Sequence, residues 1–448
     1  MEALGAFIKQ ARWEDMEPSA VRAAKYTLLD SLGALLFGNQ EKEVQQLSQM
    51  TSGVSPGAYR ILGTEWTAGL YEAAFINGCG SVATEMDEGN QWSKGHPAAH
   101  IIPAMLTYAQ RMDACTGAHF LLSLITGYEA CSRFGRAVTL HPDAHAHGTW
   151  GVMGAAAAIL LLAGAKEEEW LEGVKLSASF AMPTMWNAAL EGALVRNVYA
   201  GQASESGIRS LQLVRSGYRA PAQSVEYIFG SVLGSAFDQE AMLADMGQRW
   251  EIERNYFKPY AFCRYAHAPL DAFASLLTEH SISRADIAQV EVRTYSRAAT
   301  LSNQQPHNVL AAKFSIPYAL AVRLWAGAAD HTVFADRWLG NEEVRAFARK
   351  VTVQYDDELE KEYPSIMPAV VRIICTDGRV YEGRCDIAEG GPGKAFTHAA
   401  LLAKFRALTA NILSPARQDE VIGFIENMEQ KTELAPLFAL CVPDALTV

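Results

Sequence analysis

Between Glu85 and His100 the chain reads Glu-Met-Asp-Glu-Gly-Asn-Gln-Trp-Ser-Lys-Gly-His-Pro-Ala-Ala-His, and it then runs into the apolar Ile101-Ile102-Pro103. Glu85, Asp87 and Glu88 with His96 and His100 thus place three carboxylates and two imidazoles in one short stretch. Titratable groups set in an apolar frame carry a desolvation cost and mark an active-site wall. The histidines suit general acid/base chemistry, because imidazole titrates near neutrality. The same residues also fit the solvated end of a helix, with Gly89 as its stop and Pro97 in the first turn of the next. A metal site is a third reading. His96 and His100 are four apart, the spacing that puts two ligands on one helical face, but Pro97 between them marks a helix start, and no metal is expected.

The elements that position these residues are mostly helical. Val21, Ala24, Leu28, Leu32 and Leu35 recur at helical spacing between a capping Ser19 and a terminating Gly38. Residues 66–84, 98–112, 116–138 and 148–165 continue in that style, so the fold class is mainly α. His141, His145 and His147 crowd the loop before the last of these, and Gly148-Thr149 stands at its expected N-terminus, where an anion such as a carboxylate can be held. After about His267 the period changes. In 287–295, Ala288, Val290 and Val292 alternate with Gln289, Glu291 and Arg293 as in a half-buried strand. Residues 351–355 form another, and 369–376 with 379–386 flank the hairpin signal Asp377-Gly378. Helical spacing returns after Lys394. The expected organisation is a helical domain over 1–266, completed by 395–448, and a smaller α+β lid domain over 268–394.

Composition excludes several classes. Half of the 448 residues are hydrophobic, enough for a large core, and 38 Lys plus Arg face 50 Asp plus Glu for a formal charge of -12. No basic stretch tracks a phosphate backbone, so no nucleic-acid partner is expected. The seven cysteines are dispersed without a C-x-x-C pair, which points to reduced thiols, a cytoplasmic setting and no iron-sulfur or zinc cluster. Met1 to Trp13 lacks a basic segment followed by an apolar core, so no signal peptide is expected. The longest apolar run, Trp150 to Ala165, suits a buried helix, and no membrane span is expected.

Several motifs occur in one order along the chain: Asn77-Gly78, the acidic segment at Glu85, Gly95-His96-Pro97, His145-Ala146-His147-Gly148-Thr149, Arg196-Asn197-Val198-Tyr199-Ala200-Gly201, Lys258-Pro259-Tyr260 with His267, and Ala312-Lys313-Phe314-Ser315-Ile316-Pro317-Tyr318. Together they resemble the MmgE/PrpD family, whose members include 2-methylcitrate dehydratase, cis-aconitate decarboxylase and iminodisuccinate epimerase. The resemblance implies a large helical domain, an α+β lid, a site in the cleft between them, a homodimer, no cofactor, and a small di- or tricarboxylate substrate. Carried over residue by residue, it implies catalytic His96, His145, Lys258 and Tyr318, and substrate-binding Glu85, Asp87, Arg196 and His267. Glu85 stands where an Asp is usual, and Arg196 where a Lys is usual.

The chemistry implied is removal or relocation of a proton next to a carboxylate, which needs a base near neutrality and fixed positive charge. His96 and His145 suit the first need, Arg196 and Lys258 the second. Blander readings stand beside these: an exposed His-rich loop, a helix pair of Arg196 with Glu191, a surface turn at Lys258-Pro259, a core Tyr318. Cys263 is read as a wall residue. The expected activity is a dehydratase-type lyase; the alternatives are a dicarboxylate epimerase and an inactive carboxylate-binding protein.

Overall fold

The computed structural model describes residues 1–444. The chain divides into two units: the first comprises Met1–Met185, Val195–Asn255 and the residues from Thr397 on, the second Trp186–Leu194 and Tyr256–Phe396. Trp186–Leu194 and the residues from Tyr256 to Ala266 therefore group with the second unit, where the sequence placed them in the helical domain. Helix accounts for 57% of the structure against a few short sheets, which makes the fold mainly α.

The first unit is built on α1 (Pro18–Gly38), α2 (Leu70–Ala83), α3 (Pro97–Ala109), α4 (Gly117–Ala137), α5 (Gly151–Leu162) and α6 (Val195–Arg215). Helix α1 begins at Pro18 instead of being capped by Ser19, because proline supplies a preset φ for the first turn and loses no needed donor. Helix α4 starts as expected, with the Thr116 side chain accepting from His119 N–H. Helix α5 is buried on every side, as its Gly, Ala and Leu composition demands, and packs against α3, α4 and α6. Its buried Ile159, Leu160, Leu161 and Leu162 each contribute about 1.5–3 kcal/mol of burial. It begins at Gly151, three residues later than the sequence implied, since Gly148 takes a φ of 76° that interrupts helical geometry.

The Asn77-Gly78 motif has a packing explanation. A Cβ on Gly78 would lie 2.7 Å from Gly201 Cα, so its absence lets α2 and α6 approach closely. Asn77 Oδ1 accepts from Leu62 N–H at 3.0 Å and from Asn39 at 3.0 Å, while its amide donates to Thr107 Oγ1 at 3.0 Å. Two short antiparallel ribbons, Tyr59–Arg60 with Thr67–Ala68 and Val138–Leu140 with Gly234–Phe237, carry too few residues to show a sequence period. No helix among the described residues is long and apolar enough to cross a membrane.

The second unit holds a four-stranded sheet of β1 (Ile287–Thr294), β2 (Val351–Tyr355), β3 (Ala369–Cys375) and β4 (Val380–Cys385) in the order β2-β1-β3-β4. The β1–β2 pair is parallel and the others antiparallel. Gly378 closes the β3–β4 hairpin at a φ of 86°. In β1, Val290 and Val292 face the core as expected but Ala288 is exposed. The register shifts between Ile287 and Gln289, and such a bulge turns one side chain to the other face. All seven cysteines are buried free thiols, which agrees with the dispersed spacing.

Candidate active site

The acidic segment leaves α2 in a tight reversal. Glu85 has a φ of 56°, a conformation that costs a side-chain-bearing residue about 1–3 kcal/mol and persists only where neighbours hold it. The neighbour here is Arg196 on α6, whose Nη2 pairs with Glu85 Oε1, both groups being about 1% exposed. Arg196 Nη1 also donates to Val82 O at 2.8 Å, a carbonyl at the α2 C-terminus. From the other side Lys404, on the helix His398–Thr409, donates to Asp30 Oδ1 at 2.6 Å and to Met86 O at 2.7 Å. Asn90 completes the loop, its side chain accepting from Trp92 and Ser93 N–H and its backbone pairing with Gly95. The segment is therefore an internal, ion-paired loop, and the solvated helix end is ruled out: Glu85, Asp87 and Glu88 are all buried.

Four imidazoles gather beside it. His96 Nδ1 faces Asp87 Oδ2 at 2.9 Å and Glu88 O at 2.5 Å. Both partners accept, so Nδ1 carries a proton and Nε2 holds the lone pair of the neutral ring. The His147 ring stacks near those of His96 and His145, at centroid distances of 5.0 and 4.9 Å. His147 Nε2 lies 3.2 Å from Arg196 Nη2, and its Nδ1 lies 3.3 Å from His100 Nε2. Guanidinium only donates, so His147 presents a lone pair at Nε2 and directs its proton toward His100. Burial, and then the Arg196 charge, hold the His147 pKa well below the usual imidazole value. Burial pushes His100 down to about 3. These two rings are thus neutral at ordinary pH. The His100 ring also lies against the start of α5: a Cβ on Gly151 would sit 2.5–2.7 Å from its atoms.

Glu88 is the opposite case. It is fully buried, and burial raises its carboxyl to about 8, against the pull of the Tyr128 hydroxyl on Oε1 and of the Ala98 N–H on Oε2 at 3.1 Å. It is a neutral acid at pH 7, and its backbone carbonyl is one of the two groups that orient His96.

Asp87, His96 and His147 offer donor atoms within 4.8 Å of one another, the one such cluster among the described residues. The set fits a cation poorly. Both ring nitrogens of His147 already face hydrogen-bonding partners, and one of these partners is the permanently charged Arg196.

The structure thus brings together Glu85, Asp87, His96, His145 and Arg196 of the expected set, and adds His147, His100 and Glu88. His147 was within reach, two residues after His145 in a His-rich loop. His100 was visible as the fourth residue after His96. What no spacing conveys is that α3, α5 and α6 converge on one point. Lys258, His267 and Tyr318 belong to the second unit, where all three are buried. His267 Nε2 faces Phe262 O at 3.1 Å and Nδ1 faces Arg264 Nη1 at 3.3 Å, which puts its proton on Nε2. The Tyr318 hydroxyl donates to Val333 O at 3.0 Å, and burial raises its pKa, so in this structure its proton lies in a core hydrogen bond.

Residues 2–240 match the MmgE/PrpD N-terminal domain and residues 260–430 the MmgE/PrpD C-terminal domain, and the chain belongs to that family. Its relatives include a cis-aconitate decarboxylase of Aspergillus terreus, 25% identical over 95% of this chain and 92% of the relative. The Homo sapiens cis-aconitate decarboxylase is 23% identical over 94% of this chain and 90% of its own length. A cis-aconitate decarboxylase-like protein of Aspergillus oryzae is 21% identical over 97% and 95%.

Proposed function

We propose that this MmgE/PrpD protein is a lyase acting on a small di- or tricarboxylate, with proton transfer at the carbon next to a carboxylate. The observation that carries the reading is the Asp87–His96 pair, a part-buried imidazole whose Nδ1 faces a buried carboxylate at 2.9 Å and the Glu88 carbonyl at 2.5 Å. That arrangement presents Nε2 as a base and stabilises the imidazolium formed when it takes a proton, the role a carboxylate partner plays for a catalytic histidine. The relatives' names make cis-aconitate the first substrate to test. Loss of carbon dioxide from such a compound leaves a carbanion that must take up one proton, and His96 in its protonated form delivers it. A dehydratase uses the same group in reverse, to remove a proton while a hydroxyl leaves the neighbouring carbon.

Arg196 takes a supporting role in this reading. Its guanidinium is bound to Glu85, Val82 O and His147, so it holds the loop that carries Asp87 and Glu88. The residues that depart from the usual family pattern, Glu85 and Arg196, are partners of each other. Lys258 remains the proposed grip on a substrate carboxylate.

The test is incubation of the protein with cis-aconitate, 2-methylcitrate and related polycarboxylates in deuterium oxide, followed by NMR and ultraviolet absorbance. Carbon dioxide release with one deuterium in the product identifies a decarboxylase, and a new carbon-carbon double bond without carbon dioxide a dehydratase. Deuterium exchange with inversion and neither other change would replace the lyase reading by an epimerase. Lys258→Met should raise KM more than it lowers kcat.

A further inference from the structure

Three consecutive residues of the acidic loop are each held by a different partner. The Glu85 side chain pairs with Arg196, the Met86 carbonyl accepts from Lys404 Nζ at 2.7 Å, and Asp87 Oδ2 faces His96 Nδ1 at 2.9 Å. Of these partners Lys404 comes from furthest along the chain, 318 positions after Met86, on the helix His398–Thr409. That helix buries Leu401, Lys404, Phe405 and Leu408 at helical spacing. It packs on α1, where a Cβ on Gly33 would lie 3.1 Å from Phe405 Cδ2. An apolar residue at 404 would complete the stripe at lower cost, since a buried ammonium loses its hydration and an ion pair seldom outdoes an apolar pair of similar volume. A lysine stands there instead, 8% exposed, and its head group bridges Asp30 Oδ1 on α1 at 2.6 Å and the Met86 carbonyl.

We propose that Lys404 is a positioning residue for the Asp87–His96 pair, acting through the Met86 carbonyl. That carbonyl and the Asp87 N–H belong to one planar peptide unit. Fixing the oxygen therefore fixes the plane from which the Asp87 side chain departs, one residue after the left-handed Glu85. The orientation matters because the 2.9 Å contact of Asp87 with His96 weakens steeply once the carboxylate swings out of line. The role rests on the lyase reading of His96 and deepens it: a carboxylate orients the base, and a lysine from the C-terminal segment orients the carboxylate.

The test compares two variants. Asp30→Asn keeps an acceptor beside Lys404 and leaves the lysine to hold Met86 O. Asp30→Leu/Lys404→Met removes both polar partners together, so no buried charge is stranded and the stripe stays apolar, but Met86 O loses the Lys404 donor. The first readout is the 1H–13C NMR spectrum of histidine-labelled protein, with the His96 ring signals assigned by their loss in His96→Gln. Those signals should move in the double variant and stay in place in Asp30→Asn. The second readout is turnover. In the double variant kcat should fall about tenfold to 100-fold, the cost of a small misplacement, with KM little changed; in Asp30→Asn it should fall much less. If the double variant does not fold, Lys404→Gln/Asp30→Asn replaces it, since Gln ends one bond short of Nζ and withdraws the donor from Met86 O. Unmoved His96 signals in a folded variant without the lysine head group refute the proposal. So does a kcat that falls equally in both variants and in step with their melting temperatures, as a purely structural role requires. A wild-type protein inactive on every polycarboxylate would defeat the lyase reading, while the His96 signals still decide for or against Lys404.

Discussion

Replacing Glu88 by Gln offers a test of the buried acid that can be read against pH. Burial raises its carboxyl from 4.5 to about 8. Between those two values the unfolded chain has given up a proton that the folded protein keeps. The folded state binds more protons there, so stability falls as pH rises from about 4.5 to about 8, and the contribution is level outside that window. Each pH unit is worth about 1.4 kcal/mol, and the full span about 5 kcal/mol. Gln has the same shape and does not titrate. Its carbonyl can accept the Ala98 N–H and its amide can donate to the Tyr128 hydroxyl, so the packing survives. The measurement is urea unfolding of wild type and Glu88→Gln at several pH values from 5 to 8.5, taking the difference between the two chains so that shared titrations cancel. The variant should gain on the wild type by several kcal/mol across the range, with the gain complete by about pH 8. A difference that stays within about 1 kcal/mol at every pH would mean that Glu88 titrates as it does in water, and the case for a neutral buried acid beneath His96 would collapse.

Arg196→Met should destabilise by about 3–5 kcal/mol, because it leaves Glu85 buried without its partner. Adding Glu85→Gln should recover part of that loss, and a double-mutant cycle in urea showing no coupling would contradict the pairing. Gly151→Ala should cost about 1–3 kcal/mol by overpacking, since the new methyl meets the His100 ring, and should lower kcat through the His100–His147 contact. A Gly151→Ala protein of unchanged stability would show that the ring can move aside. Exhaustive chelation should leave turnover unchanged, because the Asp87, His96 and His147 donors are committed to one another and to Arg196. Activity lost to chelation and restored by one divalent metal would reverse that judgement.

The linear order of residues settles a good deal here. Apolar spacing in 18–38 and alternation at Val290 and Val292 are local patterns, each set by the pitch of the element that carries it. They give mainly helical and α+β segments without knowledge of what packs on what. Asp87 and His96 were legible as candidates in one short stretch, but the sequence read Asp87 as a substrate-binding group and did not show that it faces His96. The misses have the opposite character. The bulge that exposes Ala288 depends on the partner strand β3, and the late start of α5 depends on a left-handed Gly148.

The site depends most on what the sequence leaves open. Glu85 and Arg196 are far apart in the chain, and their pairing exists because α2 and α6 cross closely at Gly78 and Gly201. The same convergence brings Arg196 to His147, and so decides which nitrogen of that ring carries the proton. Protonation state is a property of surroundings: burial makes Glu88 a neutral acid and keeps His100 and His147 neutral, although free glutamate is charged at pH 7 and free histidine titrates near it. The sequence supplied two histidines of equal standing, His96 and His145. Tertiary structure separated them, by facing one Nδ1 toward a carboxylate and the other toward a backbone N–H, because a hydrogen bond fixes a proton only through the direction in which its partner can give or receive.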